Sequence, residues 1–427
     1  MLGPGVIDAV VIGAGQSGLA ASWHLTRRGL EHVVLERGLV GESWRSQRWD
    51  SFALNTPVWM NRLAGEPDDL APRDAFLTRD SWIDHLSAYA DGQRMPIRTA
   101  TAVTSVEATG RGGSFLVSTA GDAPGAGDPM ETRNVIVATG AQIVPMVPAL
   151  SVALPGWLRQ LHTADYRAPS ALADGAVLVV GSAQSGVQVA EDLLDAGRTV
   201  YLCTSPVGRF RRRQRGRDTL EWLTEAGFYD VTPEQLPDPR MQFVPIPQIS
   251  GVGPLGHTLS LQSLADRGVR LMGRPVGVEG GSLLLDDSLG ANIALADRVS
   301  AEFTSQIEQG IREAGRTPPP LEPDPADEPH PDPMSVHGPA NLDLEGSGIS
   351  TVVWATGFEA DFGFLRVPVL DERGAAIHDR GASPVPGIHF LGLRWMTKRN
   401  SALICGADAD AAALADRIAA ASARADR

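Results

Sequence analysis

The stretch VVIGAGQSGLAASWHLTRRGL, Val10–Leu30, returns in altered form as VLVVGSAQSGVQVAEDLLDAG, Val177–Gly197. Laid together without a gap, Gly13 meets Gly181, Gly15 meets Ala183, Gln16-Ser17-Gly18 meets Gln184-Ser185-Gly186, and Glu36 meets Thr204. Each copy opens on an apolar run, passes a glycine-rich turn, continues with helical periodicity and reaches a second apolar run, the succession of a βαβ unit. No third copy follows, so the pattern predicts two related dinucleotide folds rather than a repeat array. The fold class expected is α/β, with two Rossmann-like domains and the second inserted in the first. The predicted boundaries are 1–163 with 346–427 for the first domain and 164–345 for the second.

The remaining composition narrows the partners. With 427 residues the chain has length for two or three domains. A net charge of -14 and a pI near 5.1 argue against nucleic acid or anionic membrane as general partners and favour small molecules. The only cysteines, Cys203 and Cys405, provide no CxxC pair, disulfide framework or cysteine-rich metal site. A reducing cytoplasm fits that usage. The start, Met1 through LGPGV, has neither the basic region nor the apolar stretch of a leader, and no later run approaches a membrane span. No metal site is expected, and the reading allows a homodimer.

Gly13, Gly15 and Gly18 form G-x-G-x-x-G between a strand and a helix, an arrangement that turns backbone N–H groups and the helix start towards a diphosphate. Glu36 ends the next strand, with Arg37 after it, where a carboxylate can accept from a ribose diol. FAD and NAD both satisfy this loop. A second dinucleotide fold in the same chain selects FAD here and a nicotinamide there. At the position equivalent to Glu36 the second unit has neutral Thr204, then Ser205, Arg209 and Arg211. Hydroxyls and guanidinium groups near an adenine ribose suit a 2'-phosphate, which points to NADPH over NADH. Arg215 and Arg217 read as a solvated face. Ala183 places a methyl where a diphosphate approaches bare backbone, and a tolerated displacement of that diphosphate is expected. NVIVATG, ending Ala138-Thr139-Gly140, and TVVWATG, ending Ala355-Thr356-Gly357, are buried-type strands whose turns are placed to contact the cofactors.

GESWRSQRWDSFALNTPVW from Gly41, HTADY from His162, the two ATG turns, RRRQRGRD from Arg211 and GIHFLGLRW from Gly387 resemble the class B flavoprotein monooxygenases, specifically their compact bacterial branch. The likeness extends over nearly the whole chain. It implies a NADPH- and FAD-dependent enzyme that forms a C4a-(hydro)peroxyflavin with molecular oxygen and oxygenates a small substrate, at nitrogen or sulfur by preference. Baeyer-Villiger oxygenation of a carbonyl, and dehydrogenation or oxidation without oxygen insertion, are the alternatives. The resemblance sets Trp44 and Arg45 near the flavin, with Thr139 and Gly140 beside its diphosphate; Trp44 could equally be a core aromatic. Asn55 matches an asparagine beside the flavin adduct, where its amide would donate to the peroxide and accept from the nicotinamide ribose. An Asn-x-Pro turn with local bonds is the competing reading. The family's fingerprint between the domains is half complete, since Gly156 and Leu158 stand where Phe and Gly are expected, while His162 and Tyr166 are present. His162 is expected to be structural. His257 could reach substrate or nicotinamide, or cap a helix starting at Thr258.

Three further expectations concern organisation. Residues Leu220 to Leu284 are expected to line part of the substrate pocket. The proline- and acid-rich Arg316–Pro333 reads as an exposed connection, with His330 and the nearby His337 solvated. An alanine-rich helix is expected from about Gly406 to the end.

Overall fold

The computed structural model describes residues 5–67, 72–110 and 113–425. Its first sheet is built on Ile7–Ile12, whose apolar residues Ala9, Val10, Val11 and Ile12 are buried on both faces. This is the pattern of a parallel strand covered by helices. His32–Leu35 lies in parallel on one side and Met130–Val137 on the other. Ile97–Arg98 extends the first side. Ile388–Phe390 joins the end of Met130–Val137, again in parallel, and the antiparallel Phe115–Ala120 and Ala102–Ala108 complete seven strands.

The second sheet has five strands, all parallel, in the order Arg270–Met272, Val200–Cys203, Ala176–Val180, Ile349–Trp354, Arg159–His162. Strand for strand this repeats the first sheet's Ile97–Arg98, His32–Leu35, Ile7–Ile12, Met130–Val137 and Ile388–Phe390. The duplication visible in two glycine loops therefore extends through the core of both domains. It also corrects the predicted boundaries, which gave Arg159–His162 and Ile349–Trp354 to the first domain. Both strands complete the second sheet's hydrogen bonding, with Trp354 opposite both Val180 and His162. The ATG turn at Ala355 thus serves the second loop, as the one at Ala138 serves the first.

The two connections between the domains run side by side. Val144–Pro145 pairs antiparallel with Phe358–Glu359, and the ribbon is closed by Met146 N donating to Gly357 O at 3.0 Å and Ile143 N to Glu359 O at 3.0 Å.

The closing helix, Ile404–Ala425, begins two residues before the expected Gly406 and packs on the first fingerprint helix, Gln16–Arg27. His24 meets Asp408 at 2.6 Å and Arg28 meets Asp416 at 2.8 Å across that contact. The segment 316–333 holds a short helical turn at Pro325–Asp327 and the start of another at Pro333–Ser335, as its prolines require. It is not simply exposed, however: Asp324 accepts from Thr258 Oγ1 at 2.6 Å, and Glu322 and Asp327 reach inward to arginines of the second domain. His330 is held by its backbone N–H donating to Asp297, and His337 meets Asp287 at the surface. No described helix is long and apolar enough to cross a membrane.

Candidate functional site

Each fingerprint loop contains glycines the protein itself requires and one position it does not. Gly13 and Gly181 have φ of +105° and +102°, and a Cβ there would meet Ala138 O at 2.7 Å or Ala355 O at 2.6 Å. Both are fixed by the backbone and by the ATG turn behind them. A Cβ at Gly18 or Gly186 would overlap the carbonyl of Gly13 or Gly181. Gly15 differs: its φ of -83° and ψ of -178° suit any residue, and nothing lies within 4 Å of a Cβ built on it. Protein packing does not demand a glycine at 15, and a ligand pressed against the backbone would.

Other features of the first loop fit that ligand being a flavin dinucleotide. The helix Gln16–Arg27 begins without a side-chain cap or an acidic residue in its first turn, which leaves N–H groups free for phosphate. Thr139 Oγ1 is buried without a partner at the turn beside Gly13. Glu36 is buried at the end of His32–Leu35, where Oε2 accepts from Ala14 N at 2.8 Å and Oε1 from Gly38 N at 3.0 Å. These bonds fix the carboxylate and leave lone pairs for a ribose diol. Gln16 joins the loop to Trp44, whose Nε1 donates to Gln16 Oε1 at 3.4 Å, and Ser17 lies beneath Gly392. Trp44 is half-buried between Phe52 and Trp82. Arg45 is tied to Val40 O and Ser87 Oγ at 3.0 Å each, while Arg37 is exposed and Gly140 half-buried.

In the second loop, Ala183 has φ of -71° and ψ of -176°, nearly the values of Gly15, and the helix Gln184–Asp195 likewise begins without a cap. The alanine is unstrained, and Ser185 sits half-buried beside it. Gln184 is not free: its side chain donates to Ile249 O and accepts from Ile249 N at 3.1 Å, clamping the segment Gln248–Ser250 against the loop. Thr356 donates to Met146 O, within the ribbon between the domains.

The residues expected at a 2'-phosphate are placed elsewhere. Thr204 is buried, donating to Met272 O at 2.7 Å and accepting from Asn292 Nδ2 at 3.0 Å, so its hydroxyl faces the core. Ser205 bonds back to Ser182. Arg209 is 1% exposed, with Nη2 2.9 Å from Asp297 and Nη1 on Ser300 and the Asp327 carboxylate. Arg211 is consumed by Arg213 O, Glu322 O and Asp327. An offset along the sequence from a strand end does not determine which side of the chain an arginine takes. Here the acids of the helix Leu289–Glu313 and the proline-rich segment draw both inward. Arg215 and Arg217 remain near the surface, ion-paired with Glu308 and with Glu221 and Glu225.

Where the domains meet, the central residue is Asn55. Its Oδ1 accepts from Gln188 Nε2 at 2.8 Å, and its backbone carbonyl accepts from Arg212 Nη1 at 2.8 Å. Gln188 thus engages one of the two lone pairs of the amide oxygen expected to accept from a nicotinamide ribose. The same helix supplies Asp192, which accepts from Ser51 Oγ and Tyr166 Oη at 2.5 Å each. Tyr166 is wholly buried, and burial with Asp192 pushes its hydroxyl far above the ordinary tyrosine value. His162 Nδ1 accepts from Ala164 N at 3.1 Å, and burial lowers its pKa, which keeps the ring neutral. His257 does not cap the helix that follows it. The next helix begins at Leu261 with Ser260 as its cap, while His257 Nε2 lies 2.8 Å from Glu191 Oε1. Burial and the nearby Arg267 act to lower the His257 pKa, but the hydrogen bond and charge of Glu191, with the Val252 carbonyl, raise it overall. The sequence alone did not reveal Gln188 and Asp192, nor that Arg212 of the arginine run holds Asn55. The signal was available in the duplication, since Gln188 aligns with Ala20 and departs from it.

Comparison with known proteins bears on this geometry. A family model for pyridine nucleotide-disulphide oxidoreductases matches residues 10–227. An uncharacterized CzcO-like oxidoreductase of Geobacillus kaustophilus is 29% identical over 416 residues, covering 95% of this chain and 96% of its own. An indole-3-pyruvate monooxygenase, YUCCA1 of Oryza sativa subsp. japonica, is 31% identical over 199 residues, 45% of this chain and 46% of its own. Among solved structures, a flavin-containing monooxygenase from Stenotrophomonas maltophilia superposes with a TM-score of 0.63 at 20% identity, covering 98% of this chain and 99% of that one. That likeness supports the two-domain dinucleotide-binding fold.

Proposed function

From the premise that this chain belongs to the pyridine nucleotide-disulphide oxidoreductase family, we propose that it is a NADPH-dependent FAD monooxygenase acting on nitrogen or sulfur of a small nucleophilic substrate. One oxygen atom of O2 enters the substrate and the other leaves as water, with NADPH supplying two electrons and a proton from solvent completing the balance. The flavin, when bound, supplies the transfer of electrons from nicotinamide to oxygen. The chain's own residues bind and orient. The first loop and Glu36 hold FAD, with Thr139 as a further hydroxyl. The second loop holds the nicotinamide dinucleotide, displaced slightly by the Ala183 methyl. Preference for NADPH then rests on the missing carboxylate at Thr204, since Arg209 and Arg211 are engaged internally.

The observation that carries this reading is the position of Asn55, an amide of the first domain held between the two loop-bearing units by Gln188 and Arg212. Such a group can serve oxygen chemistry at the junction and has no use in exchange of thiols. Thiol chemistry on the chain's own cysteines is disfavoured on separate grounds: burial raises Cys203 to about 12 and Cys405 to about 11, so neither supplies a thiolate near neutral pH. The test is NADPH turnover under 18O2 with a panel of small amines, thioethers and ketones. One labelled oxygen per NADPH in an N- or S-oxide is expected. Label in an ester would redirect the reading to carbonyl oxygenation, and stoichiometric hydrogen peroxide with unlabelled products would overturn oxygen insertion.

A further inference from the structure

Gln188 has no counterpart in the first copy, where the aligned Ala20 is buried beneath the closing helix. In the second copy Gln188, Glu191, Asp192 and Asp195 recur at the spacing of one helix face. Gln188 and Asp192 of that face reach Asn55 and Ser51 of the first domain, whereas Glu191 and Asp195 pair with Arg267 of the second, and Gln188 is the buried member nearest the nucleotide loop, one turn beyond Gln184. Gln188 Nε2 donates to Asn55 Oδ1 at 2.8 Å, and Arg212, itself 1% exposed and paired with Asp218 at 2.5 Å, holds the Asn55 carbonyl at 2.8 Å. An amide oxygen can accept a second bond, but with Oδ1 turned to Gln188 it is the NH2 group of the Asn55 carboxamide that turns away from that helix. We infer that Gln188 is a positioning residue that sets the orientation of the Asn55 amide, so that Asn55 offers N–H donors, and not its oxygen, to the oxygen chemistry at the domain junction.

The effect is one of polarity. A primary amide can rotate by half a turn with little change of shape, exchanging donor for acceptor, and packing alone does not choose between the two states. The choice is made by the partner. A glutamate at 188 would accept only, and would rotate the Asn55 amide to bring Nδ2 towards itself and leave Oδ1 facing outward. Negative charge developing on oxygen would then meet an acceptor where it had met a donor, the reverse of what stabilises it. Gln188 sits on the helix whose start carries the second fingerprint, so the residue that orients Asn55 belongs to the nucleotide-binding unit.

This proposal rests on the monooxygenase reading for its consequence and on geometry for its premise, and the experiment separates the two. The sequence contains six asparagines, so selective 15N-asparagine labelling of the FAD-loaded protein gives few side-chain amide pairs, with that of Asn55 identified by its loss in Asn55→Ala. Gln188→Glu should move the Asn55 pair while leaving the other five in place. In turnover, Gln188→Glu should raise hydrogen peroxide released per NADPH by roughly tenfold, with flavin retention and anaerobic reduction by NADPH within about twofold of the parent. In the Asn55→Ala background the same substitution should add nothing to the peroxide yield, whereas a merely structural role would give additive effects. Gln188→Leu, which preserves bulk without orienting the amide, covers the case in which the glutamate variant does not fold. An unmoved Asn55 pair in Gln188→Glu would overturn the inference, and so would additive peroxide yields or unchanged coupling in an enzyme that inserts labelled oxygen. A parent that inserts no oxygen into any substrate would instead overturn the function proposed above, with the amide orientation still read by resonance.

Discussion

Replacing Arg209 should cost stability and leave nucleotide preference alone. Its guanidinium reaches Asp297 with Nη2 at 2.9 Å and Nε at 3.3 Å, Ser300 Oγ with Nη1 at 3.2 Å, Asp327 O with Nη2 at 2.8 Å, and the Asp327 carboxylate. In Arg209→Met the chain length is nearly kept and every one of these bonds is lost. Asp297 retains Gln262 Nε2 at 2.7 Å and the His330 N–H at 2.9 Å, but two largely buried carboxylates then share a site in which Arg211, 3.5 Å from Asp327, is the cation that stays. Breaking a buried pair from one side costs about 3–5 kcal/mol. At about 2–4 °C per kcal/mol for a domain of this size, the melting temperature should fall by roughly 6–20 °C. The addition of Asp327→Asn should recover part of that loss, because it removes one of the stranded charges. The assay is thermal unfolding of the FAD-loaded protein, with kcat/KM for NADPH and NADH measured well below the transition. A melting temperature within about 2 °C of the parent, together with a tenfold or greater fall in the NADPH to NADH ratio, would refute the reasoning and return Arg209 to the cofactor.

Further outcomes follow from the same geometry. Gly15→Val should fold and yet be purified without flavin, since the space around a Cβ at 15 is open to ligand alone; a fully yellow variant would contradict this. Ala183→Gly should tighten NADP+ a few-fold, by about 1 kcal/mol or less, as read by titration of the flavin spectrum; equal affinity would show that the methyl obstructs nothing. Asn55→Ala should keep FAD binding and anaerobic reduction by NADPH while diverting oxygen to hydrogen peroxide, and tight coupling in that variant would leave Asn55 a turn residue. His389 is lowered to about 4 by burial, with Arg417 adding to the effect. An unfolded histidine takes up its proton near 6.5 and the folded one does not, so thermal stability should fall as pH drops from about 6.5 towards 4. His389→Gln should flatten that part of the stability profile.

The fold could be read from the sequence because its determinants are local. Gly13, Gly18, Gly181 and Gly186 announce tight loops whose partners lie within a few residues or in the next buried strand. The same holds for the two ATG turns, whose carbonyls press on Gly13 and Gly181. The arginines were misread because their partners are distant: Asp297 and Asp327 lie 88 and 118 residues beyond Arg209. A run of basic residues carries no mark of the acids that will neutralise it, and a proline-rich segment carries no mark of the surface it will cross. Gln188 was hidden differently. A polar stripe on an otherwise apolar helix has the pattern of a solvent face, and only the packing of one domain on the other turns that face into an interface. The domain boundaries moved for a related reason, since a strand's membership is fixed by its hydrogen-bonded neighbours and not by its nearness in sequence to either loop.

The paired connection between the domains has a mechanical consequence. A single peptide link would let one domain swing about many axes, whereas Val144–Pro145 and Phe358–Glu359 are laced together by backbone bonds into a two-stranded strip. A strip of this kind resists splaying and shear in its own plane but yields to torsion along its length, as β-ribbons twist readily. Rotation about its own axis is thereby the relative movement of the domains that this connection resists least. Its stops include the contacts of the second fingerprint helix with the first domain: Ser51 on Asp192, and Asn55 on Gln188. Loosening the strip at Thr356, whose hydroxyl fastens Met146, would add slack to a torsional bearing without touching either nucleotide loop.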